Sequence, residues 1–417
     1  MTRIRTAAIG AAAVAVAIGA FAAAPAVNAA EGDTDIRVGD FDAAVENLHE
    51  LSTESVAPSA VSDSPSISAE TKAVDEDCIE ESGDEELVIQ RISGANRYET
   101  AACVSFGTWP NHDNPDVEEE AKAQVVVLAR ADNFPDALAG GPLAAYYEGP
   151  LLLTHPEFLP DVAMSEIERV LAPGGKVYLL GGTSSVSNDI RDDLQDAGYS
   201  TERLSGSNRY ETAIAIAEEL PNTSNFFFAT GENFPDALAA GNAAAALSFS
   251  AKYAGDPDFR PFAVLLTQGD ELGDSTFDFV LDRGNQFGVW TLITAGGHAD
   301  RAAEAAFGPG NLGVRFVGSN RFDTAAQIAD AVFTFEGELI GIAVGIATGL
   351  KFPDALAATS HLGRWGEPLL LTLDDHPSSE TIDFLESVAG QGIALEVYGG
   401  NTTVSDDVAE AAWQAFR

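Results

Sequence analysis

Between residues 203 and 307 the spacing of apolar positions changes repeatedly. Tyr210, Ile214, Ala217 and Leu220 recur at helical intervals, which predicts a helix over 208–220. Residues 226–229 are then apolar without a break, and 264–267 and 290–295 read the same way. A strand with one wet face alternates, whereas unbroken apolar runs of this length belong to strands covered on both sides. Pro235 suits the first position of a helix and Asp236 its first turn, so a helix is predicted over 235–247. Further helices are predicted over 275–282 and 300–307, with a short strand at 202–204. The polar segment 248–260, with Lys252 and Arg260, reads as a surface loop between a helix and a strand. Strand and helix alternate throughout, the pattern of a parallel sheet flanked by helices, in a unit the size of a small Rossmann- or flavodoxin-like domain.

The unit occurs three times. Arg-Ile-Ser-Gly-Ala-Asn-Arg-Tyr-Glu-Thr-Ala begins at Arg91, and close copies begin at Arg203 and Arg315, 112 residues apart each time. Phe-Pro-Asp-Ala-Leu-Ala follows Asn133, Asn233 and Lys351. A Leu-Leu-Thr run and an apolar run ending in Gly181-Gly182, Gly296-Gly297 or Gly399-Gly400 complete each copy. A fixed period defines the architecture as three α/β modules, 91–202, 203–314 and 315–417.

Residues 1–29 read as a secretory signal peptide: Arg3 and Arg5, an alanine-rich apolar stretch, then small residues at Val27-Asn28-Ala29. No other segment is apolar and long enough to span a bilayer. Residues 30–90 form an acidic tail with runs at Asp75-Glu76-Asp77 and Asp84-Glu85-Glu86, expected to be largely disordered apart from a short helix over 41–51. The whole chain of 417 residues carries a net charge of −43. Such a field repels nucleic acid and anionic membranes. Cys78 in the tail and Cys103 in the first module are the only cysteines, and in an oxidising compartment they are expected to form a disulfide. Cys103 aligns with Ala215 and Gln327, which suggests a position near the surface.

The candidate chemistry sits where helices open past strand ends, the edge at which ligands bind in open α/β sheets. Asn96, Asn208 and Asn320 are placed to cap helices. Arg97, Arg209 and Arg321 then put a cation in the first turn, which the helix dipole disfavours. Either an anionic ligand or the Phe-Pro-Asp carboxylates Asp136, Asp236 and Asp354 must compensate. The residues after the first and third glycine pairs, Thr183-Ser184-Ser185 and Asn401-Thr402-Thr403, look like helix caps. The glycine pairs lack the Gly-x-Gly-x-x-Gly spacing of a dinucleotide site, and the six histidines fall at unrelated positions in the modules. No catalytic set recurs, so no enzyme, cofactor or metal site is expected. Three equal weak sites suit avid binding instead.

These phrases, with Val186-Ser187 and Val404-Ser405 after the glycine pairs, resemble the type 2 cell wall-binding repeats of Gram-positive surface proteins. The resemblance spans 91–417. It implies three Rossmann-like modules about a pseudo-threefold axis that anchor a secreted, S-layer-type protein non-covalently to an anionic wall polymer or polysaccharide, in company with other surface proteins. Asn96, Arg97, Asn208, Arg209, Asn320, Arg321, Asp136, Asp236 and Asp354 are then the candidate ligand-binding residues, with an arginine groove or a bridging cation reconciling the charge. A wall hydrolase of the amidase kind and a purely structural coat are the alternatives. Two departures stand out: Phe322-Asp323 and Lys351 in the third repeat, and His298-Ala299 in place of Val-Ser in the second.

Overall fold

The computed structural model describes residues 37–39, 41–54, 74–84, 86–118, 121–254 and 259–417. The segment expected to be a signal peptide, residues 1–29, and much of the acidic tail lie outside these residues. Within them the tail supplies β1 (Arg37–Val38), α1 (Phe41–Glu54) and β2 (Ile79–Gly83). The expected helix is present as α1, with Phe41, Ala44, Val45 and Leu48 buried.

The first repeat runs β3 (Val88–Ile92), α2 (Arg97–Thr108), β4 (Val125–Arg130), α3 (Gly140–Tyr146), β5 (Leu151–Thr154), α4 (Asp161–Val170), β6 (Lys176–Leu180) and α5 (Asn188–Asp196). The second runs β7 (Ser200–Leu204), α6 (Arg209–Glu219), β8 (Asn225–Thr230), α7 (Pro235–Tyr253), β9 (Phe262–Thr267), α8 (Asp274–Phe287), β10 (Val289–Ala295) and α9 (Gly297–Phe307). The third begins with β11 (Arg315–Phe316) and α10 (Arg321–Phe333), followed by a small β12–β13 hairpin (Thr334–Phe335, Glu338–Leu339). It continues with β14 (Ala343–Thr348), α11 (Pro353–Trp365), β15 (Leu369–Thr372), α12 (Ser379–Ser387), β16 (Ala394–Tyr398) and α13 (Asp406–Phe416). The helices and strands read from periodicity in the second repeat are all present. The expected loop over 248–260 is a correction: α7 continues to Tyr253, and Ser248 is buried, bonding the backbone of Phe262 in both directions. The polar residues fit because Ser248 bonds inward while Lys252 and Tyr253 of the last turn are exposed.

The sheets do not follow the sequence repeats. Their orders are β5-β4-β6-β7, then β9-β8-β10-β11 with β1 beside the other end of β10, then β15-β14-β16-β3-β2. All pairings in the three large sheets are parallel except β2 with β3. Each repeat therefore gives its leading strand to the sheet before it. The last sheet is completed by β3, from the start of the first repeat, which pairs along β16 from Ala394–Val88 to Tyr398–Ile92. The three repeats close into a ring. The closure is fastened where Trp413 Nε1 donates to Leu87 O at 2.9 Å and Arg417 pairs with Asp84 at 2.9 Å.

At the centre α3, α7 and α11 pack on one another. They are rich in alanine and glycine, and α7 buries nearly its whole surface. A Cβ on Gly141 would come within 2.7 Å of Thr359 Oγ1, and one on Gly363 within 2.5 Å of Ala245 Cβ, so the small residues set how closely these helices approach. At one end of this bundle Phe134, Phe234 and Phe352 meet, with ring centroids 5.6, 5.9 and 6.0 Å apart. At the other end Glu148, 3% exposed, is shared by Lys252 and Tyr253 of α7 and by Arg364 of α11. One residue set from all three repeats thus marks each end of the pseudo-threefold axis.

Candidate functional site

The leading strand of each repeat delivers Asn96, Asn208 or Asn320 in extended backbone at the start of the next helix, and each side chain accepts the amide hydrogens of the second and third helical residues. Glu99, Glu211 and Asp323 reach back to the amides of Ala95, Ser207 and Ser319. The asparagine satisfies two orphan amide groups at each helix start, and the acidic residue ties down the amide just before the cap, a relative of the capping box. The predicted cap role of the three asparagines holds.

The arginines one residue later turn toward the axis. Arg97 donates to Ala131 O at 2.5 Å and Arg321 to Gly349 O at 2.6 Å, and Arg209 makes the same bond to Gly231 O. Each acceptor lies just past a central strand, on the loop that carries an axial phenylalanine. Arg209 also stands 5.9 Å over the Phe134 ring of the preceding repeat. Among the described residues no carboxylate lies within ion-pair distance of these guanidinium groups. The cation in the first turn is met by a strand-end carbonyl, with Asp354 and Asp236 acting on Arg97 and Arg321 only through space.

The Phe-Pro-Asp carboxylates are engaged elsewhere. Asp354 sits beside Thr100 of the first repeat and Thr403, and Asp236 beside Thr324 of the third. Asp136 is bonded by Ser185. Gly181, Gly296 and Gly399 sit at φ of +92°, +84° and +105°, and a Cβ on any of them would collide with the carboxylate of Asp136, Asp236 or Asp354. The first glycine of each pair is thus required by the aspartate it faces. Burial raises Asp236 and Asp354 above the ordinary carboxylate range, against the lowering effect of the threonine hydroxyls and of Arg321 and Arg97. The threonine of Tyr-Glu-Thr was missed as a site residue, although its place in all three copies was the available signal.

The leading arginines clasp the end of the preceding sheet. Arg91 donates to Gly399 O at 2.9 Å and Val404 O at 2.8 Å and pairs with Asp406 at 3.0 Å, and Arg203 donates to Gly181 O at 2.8 Å. The Ser and Thr residues straight after the glycine pairs form turns, and the caps fall on Ser187 and Ser405 of Val-Ser. The second repeat has no such turn, since α9 starts at Gly297, and Arg315 instead grips Asp300 with two bonds of 2.6 Å.

Cys78 and Cys103, the pair expected to form a disulfide, are brought side by side as free thiols, within hydrogen-bond reach of each other. Cys103 is fully buried rather than near the surface, because the tail segment around Cys78 and Ile79 covers it. Beside it a cleft of about 560 Å³ is lined by Asp75, Cys78, Asn96, Glu99 and Asp161. Its acidic walls do not suit an anion, and it lies beside α2, away from the axial rings.

Three tandem matches decide the relationship: the profile of cell wall binding domain 2 fits residues 91–191, 203–294 and 315–409. The chain belongs to the cell wall binding domain 2 family. It is 24% identical over 291 residues to N-acetylmuramoyl-L-alanine amidase LytC of Bacillus subtilis, covering 70% of this chain and 51% of that protein. It is 26% identical over 337 residues to the amidase enhancer of the same organism, covering 80% and 41%. Among solved structures it is similar to Cwp8 of Clostridium difficile, with a TM-score of 0.64, 23% identity and coverage of 78% of this chain and 51% of that one. Cwp6 of the same organism gives 0.62, 19%, 80% and 51%. At these identities the two structures establish a common fold. The chain spans about half or less of the curated relatives' length. Membership of the family makes wall binding, and hence a wall or cell-surface location, the general role of the repeats. Among the described residues no helix is long and apolar enough to cross a membrane.

Proposed function

We propose that the three repeats act as one non-catalytic anchor for an anionic secondary polymer of the cell wall, on a chain exported through its first 29 residues. The observation that carries the reading is the axial group of Arg97, Arg209 and Arg321. Each spends one bond on a backbone carbonyl and has no carboxylate within ion-pair distance among the described residues. Guanidinium groups held this way suit phosphate or carboxylate groups along a polymer. A local cluster of cations also offers an anion a foothold on a chain of net charge −43. Asn96, Asn208 and Asn320 hold the arginines in place by capping their helices, and Asp136, Asp236 and Asp354 set the loops beneath them.

The amidase likeness does not favour a hydrolase. An alignment of 291 residues cannot fit ahead of the first repeat, so most of it falls on the binding repeats. Sedimentation of the purified chain with isolated walls tests the proposal. Binding to intact walls and its loss after extraction of the secondary polymer are expected, without release of soluble wall fragments. Equal binding to extracted walls, or fragment release, rejects the reading.

A further inference from the structure

The third repeat holds a polar cluster that its sister repeats lack and the wall-binding reading does not use. His361 on α11, Glu367 in the turn before β15 and Glu396 on β16 are 6%, 3% and 6% exposed. The equivalent positions are Leu143, Gly149 and Tyr178 in the first repeat, and Ala243 and Ile293 align with His361 and Glu396 in the second. One nitrogen and one oxygen from each carboxylate all lie within 4.8 Å of one another.

The hydrogen bonds aim the imidazole into this space. Thr108 Oγ1 stands 2.7 Å from Val104 O and 2.5 Å from His361 Nδ1. His361 Nε2 faces Glu396 Oε1 at 3.2 Å. Tyr398 donates to the other oxygen of Glu396. Glu367 Oε2 is buried and has no hydrogen-bond partner among the described residues. An imidazole and two carboxyl groups thus converge on one point, with one oxygen orphaned, in an interior that penalises unpaired charge.

We infer that His361, Glu367 and Glu396 form a buried structural site for a divalent transition-metal ion of the zinc type. Donors about 2.0–2.2 Å from a tetrahedral zinc stand roughly 3.3 Å apart, close to the His361–Glu396 separation. A dication neutralises the two carboxylates and gives Glu367 Oε2 its partner. The Thr108 contact to Nδ1 and the Tyr398 contact to Glu396 are the outer hydrogen bonds that orient metal ligands. Because Thr108 ends α2 of the first repeat, the ion would pin the third repeat to the first, at the junction where the ring closes.

The full chain is unfolded in chelator and refolded with or without zinc chloride, and metal content and thermal midpoint are measured after gel filtration. About one zinc per chain and a raised midpoint are expected. Glu367→Gln, which keeps the shape of the side chain, removes both effects. Thr108→Val weakens zinc retention roughly 10–100-fold. The inference is overturned if the refolded chain retains no zinc above that of Glu367→Gln, or if zinc leaves the midpoint of the wild-type chain unchanged.

Discussion

The junctions around the ring are built to one plan and closed by two chemistries. Where the third repeat meets the first, and the first meets the second, Arg91 and Arg203 bond backbone carbonyls of the glycine turn behind them. Where the second meets the third, the turn is missing and Arg315 forms a partly exposed ion pair with Asp300, helped by Glu304. The same residue in the same phrase thus fastens the preceding sheet by whatever acceptors that sheet offers. The departure noted at His298-Ala299 is repaired locally by Asp300, three residues into α9.

The difference can be broken open by mutation. The largest effect is expected from a chain beginning after Ile92, which lacks β1, α1, β2 and β3. It strips an edge from the third sheet, so amide exchange should accelerate in β16 more than in β4 of the first repeat. The reverse order would show that β3 serves its own repeat. Next, Arg91→Ala leaves two carbonyls in a buried clasp without partners and should lower stability by about 3 kcal/mol in urea unfolding. Arg315→Ala removes a more exposed pair and should lower it less. Equal losses would remove the distinction between the two kinds of junction.

A smaller effect separates them by pH. Arg315 holds Asp300 below the ordinary carboxylate range. A depressed folded value means the stabilisation is complete above the unfolded value of about 4 and is lost as pH falls through the folded one. The loss caused by Arg315→Ala should therefore fade in acid, while that of Arg91→Ala persists through its carbonyl bonds. The smallest effect concerns the axis. Asp236 and Asp354 are raised by burial, so the folded state binds their protons more tightly and stability falls as pH rises from about 4 through the folded values. Asp236→Asn should be at least as stable as the parent at neutral pH, with its advantage vanishing below about pH 4. A loss that is constant across pH would mean that the charge itself holds the loop.

The repeat period, the alternation of strand and helix and the parallel sheets were legible in the sequence, because continuous apolar runs have few other uses. The capping role of Asn96, Asn208 and Asn320 was legible as well, since residue type and position determine it locally. The ownership of β3 was not. Val88–Ile92 precedes α2 in the chain, and nothing in a linear pattern says that its partner is β16, some 300 residues later. For the same reason Arg91 gave no hint of Gly399 or Val404. The burial of Cys103 escaped notice because its counterparts Ala215 and Gln327 are only partly buried, and the segment that covers Cys103 belongs to no repeat. His361, Glu367 and Glu396 looked unrelated because the strand and helix that unite them are adjacent only in the folded third repeat.

The central claim is that the axial arginines meet the wall polymer. It is tested most directly by sedimenting the full chain with purified walls beside the triple variant Arg97→Gln, Arg209→Gln, Arg321→Gln, after unfolding curves have established that both are folded. The account predicts that the folded variant stays in the supernatant while the parent pellets with the walls. A folded variant that pellets with the walls as fully as its parent would contradict it.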